Sequence, residues 1–120
     1  MRTVCQLTSS LKYYFYSKPV DMRKSFRGLE GIVVNEFGRY LLGDEVFVFC
    51  GKNRQTVKML HREGAGTTLY IRKLDKGAFQ MPRSLADGKT CSLDYTSFML
   101  MLLGQKGKDE YYSDAEKRSK

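Results

Sequence analysis

A nuclease or another metal-dependent enzyme would need carboxylates and histidines that converge on one point. The residues that could supply this chemistry are spread over three segments of the chain: Asp21, Asp44, Glu45, His61 and Glu63. Asp21 is better explained as a helix N-cap, and the Asp44–Glu45 pair follows a glycine at a predicted turn. His61 is the single histidine and has no evident orienting partner in the sequence. We therefore predict no catalytic or metal site, and an enzyme is the least favoured class.

The three cysteines favour neither a zinc site nor a disulfide framework. Cys5, Cys50 and Cys91 are far apart and odd in number, and no two of them form a CxxC pair. Cys50 lies in an apolar segment, where a buried thiol behaves as a small hydrophobic side chain. The glycine-rich segment 64–66 precedes a predicted strand rather than a helix, so it is not typical of a phosphate-binding loop. No cofactor is predicted.

Basic side chains interleaved with an aromatic residue form a stronger constellation. They fall on a hairpin turn and the two strands that follow it: Lys52, Arg54, Lys58, Arg62, Tyr70, Arg72 and Lys73. Outward residues of neighbouring antiparallel strands are close enough to form one patch, on which cations neutralise phosphates and a tyrosine stacks on a base. Arg23, Lys24 and Arg27 form a second group at the start of a predicted helix. Both groups are candidate DNA contacts, and the alternative is a solvated surface without a partner.

The charge of the whole chain favours the same kind of partner. Its 120 residues include 21 Lys and Arg and 13 Asp and Glu, which gives a formal net charge of +8. Residues 105–120 hold five basic and four acidic side chains, so nearly all of the excess belongs to the preceding residues. A basic domain suggests a polyanion such as nucleic acid. We predict a single domain over residues 1–104 and a charged, flexible tail over residues 105–120.

No segment of the sequence indicates export or membrane insertion. No apolar run approaches the ~20 residues of a membrane helix, and the N-terminus lacks the charged, apolar and small-residue zones of a signal peptide. We expect a cytoplasmic protein without a membrane partner.

The first basic group must be positioned by an amphipathic helix. Met22, Phe26, Leu29, Val33 and Phe37 recur at spacings of three and four, which is one face of a helix. Asp21 is the predicted N-cap, and Gly38 suits a left-handed C-cap. This phase predicts that Phe26 and Leu29 are buried, while Arg23, Lys24 and Arg27 face solvent.

The second basic group must be positioned by a sheet. Tyr13–Tyr16, Glu45–Cys50, Thr56–Arg62 and Thr67–Leu74 are rich in β-branched and aromatic residues, and short turns join the last three. Glu45–Cys50 is apolar on both faces and is predicted to be a buried strand. The predicted fold class is α+β, with a twisted antiparallel β-sheet meander and helices packed on one face.

A second helix is predicted from Tyr95 to Leu103, with Asp94 as its N-cap. Phe98 to Leu103 are six consecutive apolar residues, so one sheet cannot cover them all. Candidate residues for contact with another protein are Phe98, Met99, Met101 and Leu102, because methionines adapt to irregular surfaces. The partner could be a different protein, or a second copy of the chain in a homodimer.

Several segments occur in the order that is typical of one known family. They are Tyr13–Tyr16, Asp21–Phe26 with Gly28-Leu29, Gly43-Asp44, Val46–Phe49, Val57–Leu60, Arg72–Leu74 and Ser92–Gly104. On these stretches, over roughly residues 13–104, the chain resembles the TnpB accessory proteins of bacterial IS66-type insertion sequences, the Orf2-like family. This TnpB is unrelated to the RNA-guided nuclease of that name. Arg62 and Tyr95 stand where relatives carry Trp, and Arg27 stands where an acidic residue is common.

The resemblance implies a protein that assists transposition, while a separate transposase carries the catalytic residues. It singles out Asp21, Arg23, Lys24, Lys58 and Arg72 as the positions expected to matter most. The leading hypothesis is a non-enzymatic accessory protein that binds DNA and helps assemble the transposase complex. The second hypothesis is a protein-interaction module that docks on the transposase without contacting DNA, and an enzyme is the third.

Overall fold

Five strands form one open sheet in the computed structural model, which describes residues 7–82 and 90–104. The strands are β1 (Lys12–Tyr16), β2 (Glu45–Cys50), β3 (Thr56–Glu63), β4 (Gly66–Lys73) and β5 (Thr90–Leu93). Their order across the sheet is β4-β3-β2-β1-β5. The α+β class is confirmed, and so is the antiparallel meander of β2, β3 and β4.

One strand pair departs from the predicted antiparallel arrangement. β1 runs parallel to β2, with Tyr14 opposite Phe47, while β5 pairs antiparallel with β1. Parallel neighbours need a long crossover connection, and the segment between Tyr16 and Glu45 supplies one that includes a helix. The sheet is therefore mixed. β5 was not predicted, because its four residues follow a polar segment and are too few to establish the alternation of a strand.

The two helices lie on opposite faces of the sheet, which corrects the prediction that they share one face. Helix α1 (Phe26–Ile32) packs Leu29 against one face, and helix α2 (Tyr95–Leu103) packs Phe98 and Met101 against the other. The physical reason lies in the central strands. β1 and β2 are apolar at consecutive positions, so each face of the sheet presents aromatic and branched side chains that a helix must cover.

Helix α1 begins later than the sequence predicted. Its N-cap is Ser25, whereas Asp21 accepts a hydrogen bond from the backbone N–H of Arg23 at 2.9 Å and closes a short turn. The helix continues into a π-helical turn, Val33–Phe37, and the predicted left-handed cap at Gly38 is confirmed with φ 68°. Because Phe26 stands at the first helical position, it is 44% exposed and the prediction of its burial is wrong.

The difference in burial between Leu29 and Phe26 determines how much the free energy of unfolding should fall when each side chain is truncated to Ala. Leu29 is fully buried, so Leu29→Ala should lower the free energy of unfolding by about 2–5 kcal/mol through lost contacts and a residual cavity. Phe26→Ala should cost about 1 kcal/mol, because the ring is half in water. Urea unfolding of both variants measures the difference. Equal losses would contradict the position of Phe26 at the helix start.

Helix α2 agrees with its prediction in bounds and cap. The Asp94 carboxylate accepts a hydrogen bond from the Ser97 backbone N–H at 2.7 Å, which also lowers the pKa of this carboxyl group. Three regions named in the sequence predictions lie outside the described residues: residues 1–6 with Cys5, residues 83–89 of the predicted domain, and the predicted tail at 105–120. No helix of the described part of the chain is long and apolar enough to cross a membrane.

Candidate nucleic-acid interface

The turn between β2 and β3 presents two of the predicted basic residues to solvent. Its backbone is closed by hydrogen bonds from Arg54 N to Gly51 O and from Gly51 N to Thr56 O, both 3.0 Å long. Arg54 adopts a left-handed conformation with φ 60°, and the Asn53 side chain accepts a hydrogen bond from Gln55 N at 3.1 Å. These contacts hold Lys52 and Arg54 in exposed positions at the tip of the hairpin.

The segment that precedes α1 lies against this turn. Val20 N donates to Cys50 O at 2.9 Å, and a Cβ atom built on Gly51 would lie 2.8 Å from the Met22 side chain. Any side chain at position 51 would therefore require Met22 to move. This packing places Arg23 and Lys24 next to the hairpin tip, and both are exposed as predicted.

Arg23 is held by an ion pair with Asp21. Its Nη2 atom lies 2.7 Å from Asp21 Oδ2, while the Arg23 side chain is 90% exposed. Hydrogen bonds from Arg23, with a smaller coulombic contribution, hold the pKa of the Asp21 carboxyl group well below its usual range. Asp21 is therefore an acidic partner for Arg23, and the geometry leaves most of the guanidinium surface accessible to a further anion.

The chain that follows β4 completes this end of the sheet. Leu74 N donates to Gln55 O at 2.8 Å, and Phe79 N donates to Arg54 O at 2.7 Å. The Gln55 side chain also donates to Gly77 O at 3.3 Å. Exposed Lys73 and Lys76 are thereby brought beside the hairpin tip.

Together the three segments 17–24, 50–55 and 73–79 form what we call the basic end of the sheet. They carry seven exposed cationic side chains, Lys18, Arg23, Lys24, Lys52, Arg54, Lys73 and Lys76, and two carboxylates, Asp21 and Asp75. Among the described residues, charge is balanced at the opposite ends of the strands, where Lys12, Arg39 and Arg62 accompany Asp44, Glu45 and Glu63. Sequence reasoning missed Lys18 and Lys76, since only the route of the chain brings them to the basic end.

Lys58 does not belong to the exposed set, contrary to the expectation that it faces solvent. It is 8% exposed, and its ammonium group donates a hydrogen bond of 2.7 Å to the backbone carbonyl of Lys24. Its position opposite Phe49 and Ile71 puts it on the α1 face of the sheet, beneath the segment that leads into the helix. Lys58 therefore positions the Lys24 backbone and is not available to neutralise a phosphate.

This placement predicts a difference between two lysine variants in a DNA-binding assay. Lys52→Ala should lessen the slope of log affinity against log salt by about one unit, because one phosphate contact is lost. Lys58→Met should leave the slope unchanged, since its ammonium group is already bound inside the protein. Fluorescence anisotropy at several salt concentrations measures both slopes. A drop of about one unit for Lys58→Met would show that the ammonium group reaches DNA.

The register of β3 and β4 divides the predicted sheet patch between two faces. Tyr70 lies opposite Met59, and Arg72 lies opposite Val57, on the face that α2 covers. Arg62 and Lys73, by contrast, share the α1 face with Lys58, because side chains alternate along a strand. The expectation that these residues form one patch is therefore wrong. The alternation along these strands does not identify a solvent face, because both faces of the sheet are packed.

Tyr70 and Arg72 are occupied by contacts within the protein. The Tyr70 hydroxyl donates to Glu63 Oε2 at 2.7 Å, and Arg72 Nε donates to the carbonyl of Leu102 at the end of α2 at 2.6 Å. A cation at a helix C-terminus also stabilises the helix dipole. Arg72 thus ties the edge strand to α2 and caps that helix.

The last two predicted DNA-contact residues, Arg27 and Arg62, lie close together on the α1 face, away from the basic end. Arg27 on α1 and Arg62 at the end of β3 line one groove on the α1 face, together with Glu30, Asn35 and Tyr40. We refer to this feature as the Arg27–Arg62 groove. It is separate from the hairpin tip, and no pattern in the sequence indicates that these two residues, 35 positions apart, lie close together.

His61 has partners that the sequence did not reveal. It is 5% exposed, its Nε2 atom lies 2.8 Å from the carbonyl oxygen of Gly43, and its Nδ1 atom lies 3.3 Å from Glu63 Oε2. His61 and Glu63 point to the same face because they are two residues apart on β3. These contacts link β3 to the turn before β2, so the described surroundings of His61 are those of a structural residue.

The other described residues offer neither a cluster of metal ligands nor an activated thiol. Within residues 7–82 and 90–104, no group of three or more His, Cys, Asp or Glu residues could hold a metal ion. Burial raises the pKa of the Cys50 thiol to about 11, so this thiol is protonated at neutral pH and is a poor nucleophile. Cys50 and Cys91 are both buried, and neither forms a disulfide.

The predicted partner-binding residues of α2 fall on both sides of the helix. Phe98 and Met101 are buried in the core, while Leu102 is half-buried. Met99 is 37% exposed, and Leu100 and Leu103, which were not among the predicted contacts, are exposed by 52% and 64%. The exposed apolar face of α2 is thus formed by Met99, Leu100 and Leu103. Burial of Phe98 and Met101 removes them from any contact with another protein.

The fold and the charge distribution define a small α+β domain whose open sheet ends in a cationic surface. The chain matches the family described as IS66 Orf2-like protein over residues 11–110, and it belongs to that family. The family points to a transposition accessory protein of insertion sequences. No curated protein and no solved structure matches the chain.

Proposed function

We propose that the chain is a non-enzymatic accessory protein that binds DNA through the basic end of the sheet and helps assemble the transposase complex. The observation that supports this proposal is the concentration of cations on three segments that the fold brings together. Seven exposed cationic side chains accompany two carboxylates there, and one of the carboxylates is paired with Arg23. Uneven charge of this kind attracts the phosphate backbone, whereas scattered surface charge does not.

The chemistry of the basic end suits backbone contacts more than base reading. Lys52 and Arg54 project from a hairpin tip, and Arg23 is held in place by Asp21. Contacts to phosphates position a protein on DNA but carry no sequence information themselves. We therefore expect affinity for DNA of any sequence, with preference for element ends supplied by the transposase.

The test is binding of the purified chain to two fluorescent duplexes, one with an element end and one with a scrambled sequence of equal length. We expect similar affinities for both and a steep fall in affinity between 50 and 200 mM salt, as counterion release requires. Adding the transposase should raise affinity for the element end alone. Absence of binding to either duplex at low salt would overturn the proposal.

A second candidate function is docking on the transposase without DNA contact, and the exposed apolar face of α2 favours it. Exposed leucines next to each other on one helix are a feature of protein interfaces. Leu100→Asp combined with Leu103→Asp should abolish co-purification with the transposase and leave DNA binding unchanged. Loss of co-purification in a chain that binds no DNA would favour this second function over the first.

The same face could instead contact a second copy of the chain. Sedimentation velocity over a range of concentrations distinguishes the two arrangements. A dimer that the Leu100→Asp and Leu103→Asp variant disrupts would assign the face to a homodimer. A monomer at all concentrations would exclude a homodimer and favour contact of this face with the transposase.

A further inference from the structure

The Arg27–Arg62 groove is an open concavity whose lining combines charged, amide and aromatic side chains. Its volume is about 510 Å³, within the range of small-molecule pockets. Helix α1 and its π-helical turn form one wall, and the end of β3 and the loop after Gly38 form the other. Arg27 and Arg62 are both exposed, so each guanidinium group is accessible to an anion in the groove.

Tyr40 gives the groove an aromatic surface. It is 78% exposed, more than any other large apolar side chain of the described residues. An aromatic ring that is left in water contributes little to folding, because it buries little surface. The neighbouring Val34, which also lines the groove, is 40% exposed. The groove thus combines apolar surface with two cations.

The backbone that carries Tyr40 is anchored on its N-terminal side. Arg39 N donates to Val33 O at 3.3 Å. The Arg39 side chain forms an ion pair with buried Glu45 and lies 4.6 Å from the centre of the Tyr14 ring. The backbone next to Tyr40 is therefore held before any ligand binds, which reduces the ordering cost of binding.

From this combination we infer that the groove binds an unpaired nucleotide of single-stranded DNA, an inference that rests on the proposed DNA-binding function. An arginine neutralises the phosphate, the Tyr40 ring stacks on the base, and the exposed Asn35 amide offers a donor and an acceptor to the base edge. In a duplex the bases are already stacked on each other, so a stacking site of this kind favours single strands. Glu30 at the groove disfavours a second phosphate beside it.

The groove and the basic end both lie on the α1 face, at opposite ends of strand β3. Lys24 belongs to the basic end, and Arg27 follows it after three residues at the start of α1. From Thr56 to Arg62 the strand β3 covers about 20 Å, so a single strand bound at the basic end can reach the groove. The two surfaces would then act together on DNA whose strands are separated next to a duplex.

The experiment compares Tyr40→Ala with Tyr40→Phe on an oligothymidylate and on a duplex of equal length. Loss of one stacked base costs about 1–3 kcal/mol, so Tyr40→Ala should weaken single-strand binding by about 5- to 150-fold. Tyr40→Phe should retain wild-type affinity, because it keeps the ring. Both variants should bind the duplex as the wild type does. Leu42→Ala is the matched control, because Leu42 is 52% exposed and does not line the groove.

The salt dependence of single-strand binding separates stacking from charge. Arg62→Ala should lessen the slope of log affinity against log salt by about 0.7, the value for one phosphate contact on a single strand. Tyr40→Ala should lower affinity without a change of slope, because stacking releases no counterions. Thermal melting should show all these variants folded, since the replaced side chains are exposed.

The outcomes distinguish this inference from the proposed function. If the wild type binds neither the single strand nor the duplex, the proposed function fails and the inference fails with it. If the wild type binds DNA and Tyr40→Ala binds the oligothymidylate as tightly, the inference alone is overturned. Equal weakening on single strand and duplex would also overturn it, because a stacking site distinguishes the two.

Discussion

Replacing Lys52, Arg54 and Lys73 together with Ala should lower the affinity for duplex DNA on the order of 100-fold at 0.1 M salt. These three cations lie within the basic end, and all are exposed, so the folded structure should be unchanged. If each contacts one phosphate, the slope of log affinity against log salt should lessen by about 2–3 units. Fluorescence anisotropy with an element-end duplex and with a scrambled duplex measures affinity and slope, and both duplexes should be affected alike.

The control for this variant removes the same charge from another part of the chain. Lys106, Lys108 and Lys117, in the C-terminal segment, provide a matched loss of three positive charges when changed to Ala. That control should bind DNA more tightly than the basic-end variant. If the two variants lose affinity equally, binding follows net charge, and the basic end has no special role. Unchanged affinity in the basic-end variant would exclude this surface as the DNA contact.

Phe98→Ala should lower the free energy of unfolding by about 3–5 kcal/mol. The Phe98 ring is fully buried between α2 and the sheet, and it stacks on Tyr13 with 4.0 Å between the ring centres. Its loss would leave a cavity beneath α2 and remove an aromatic pair. Marginal stability makes this a large fraction of the total for a domain of this size. Thermal and urea unfolding, followed by circular dichroism, measure the change.

The neighbouring Met99 provides the control, because it lies on the same helix but is 37% exposed. Met99→Ala should change stability by less than about 1 kcal/mol, as is usual for surface substitutions. A cost for Met99→Ala equal to that of Phe98→Ala would show that the outer face of α2 is buried, for instance against a second copy of the chain. A negligible cost for Phe98→Ala would contradict the packing of α2 on the sheet.

The amino-acid sequence by itself determined most of the secondary structure. The apolar run of β2, the turn chemistry after Cys50, the bounds of α2 and its Asp94 cap follow from local preferences, and the structure has all of them. The glycine cap at position 38 follows in the same way, because a left-handed residue favours glycine. The segments of the Orf2-like family were also visible in the chain, and the family match covers residues 11–110.

Only the tertiary structure decided which side chains face solvent and which meet each other. Lys58 has the alternation of an exposed strand residue, yet the segment that leads into α1 covers it, because both faces of the sheet are packed. Phe26 fits the apolar period, yet it is half exposed, because the helix starts at that residue. The basic end joins residues that are up to 58 positions apart, from Lys18 to Lys76 by way of the hairpin tip. Contacts over such distances depend on strand order and crossover, and local patterns carry no information about either.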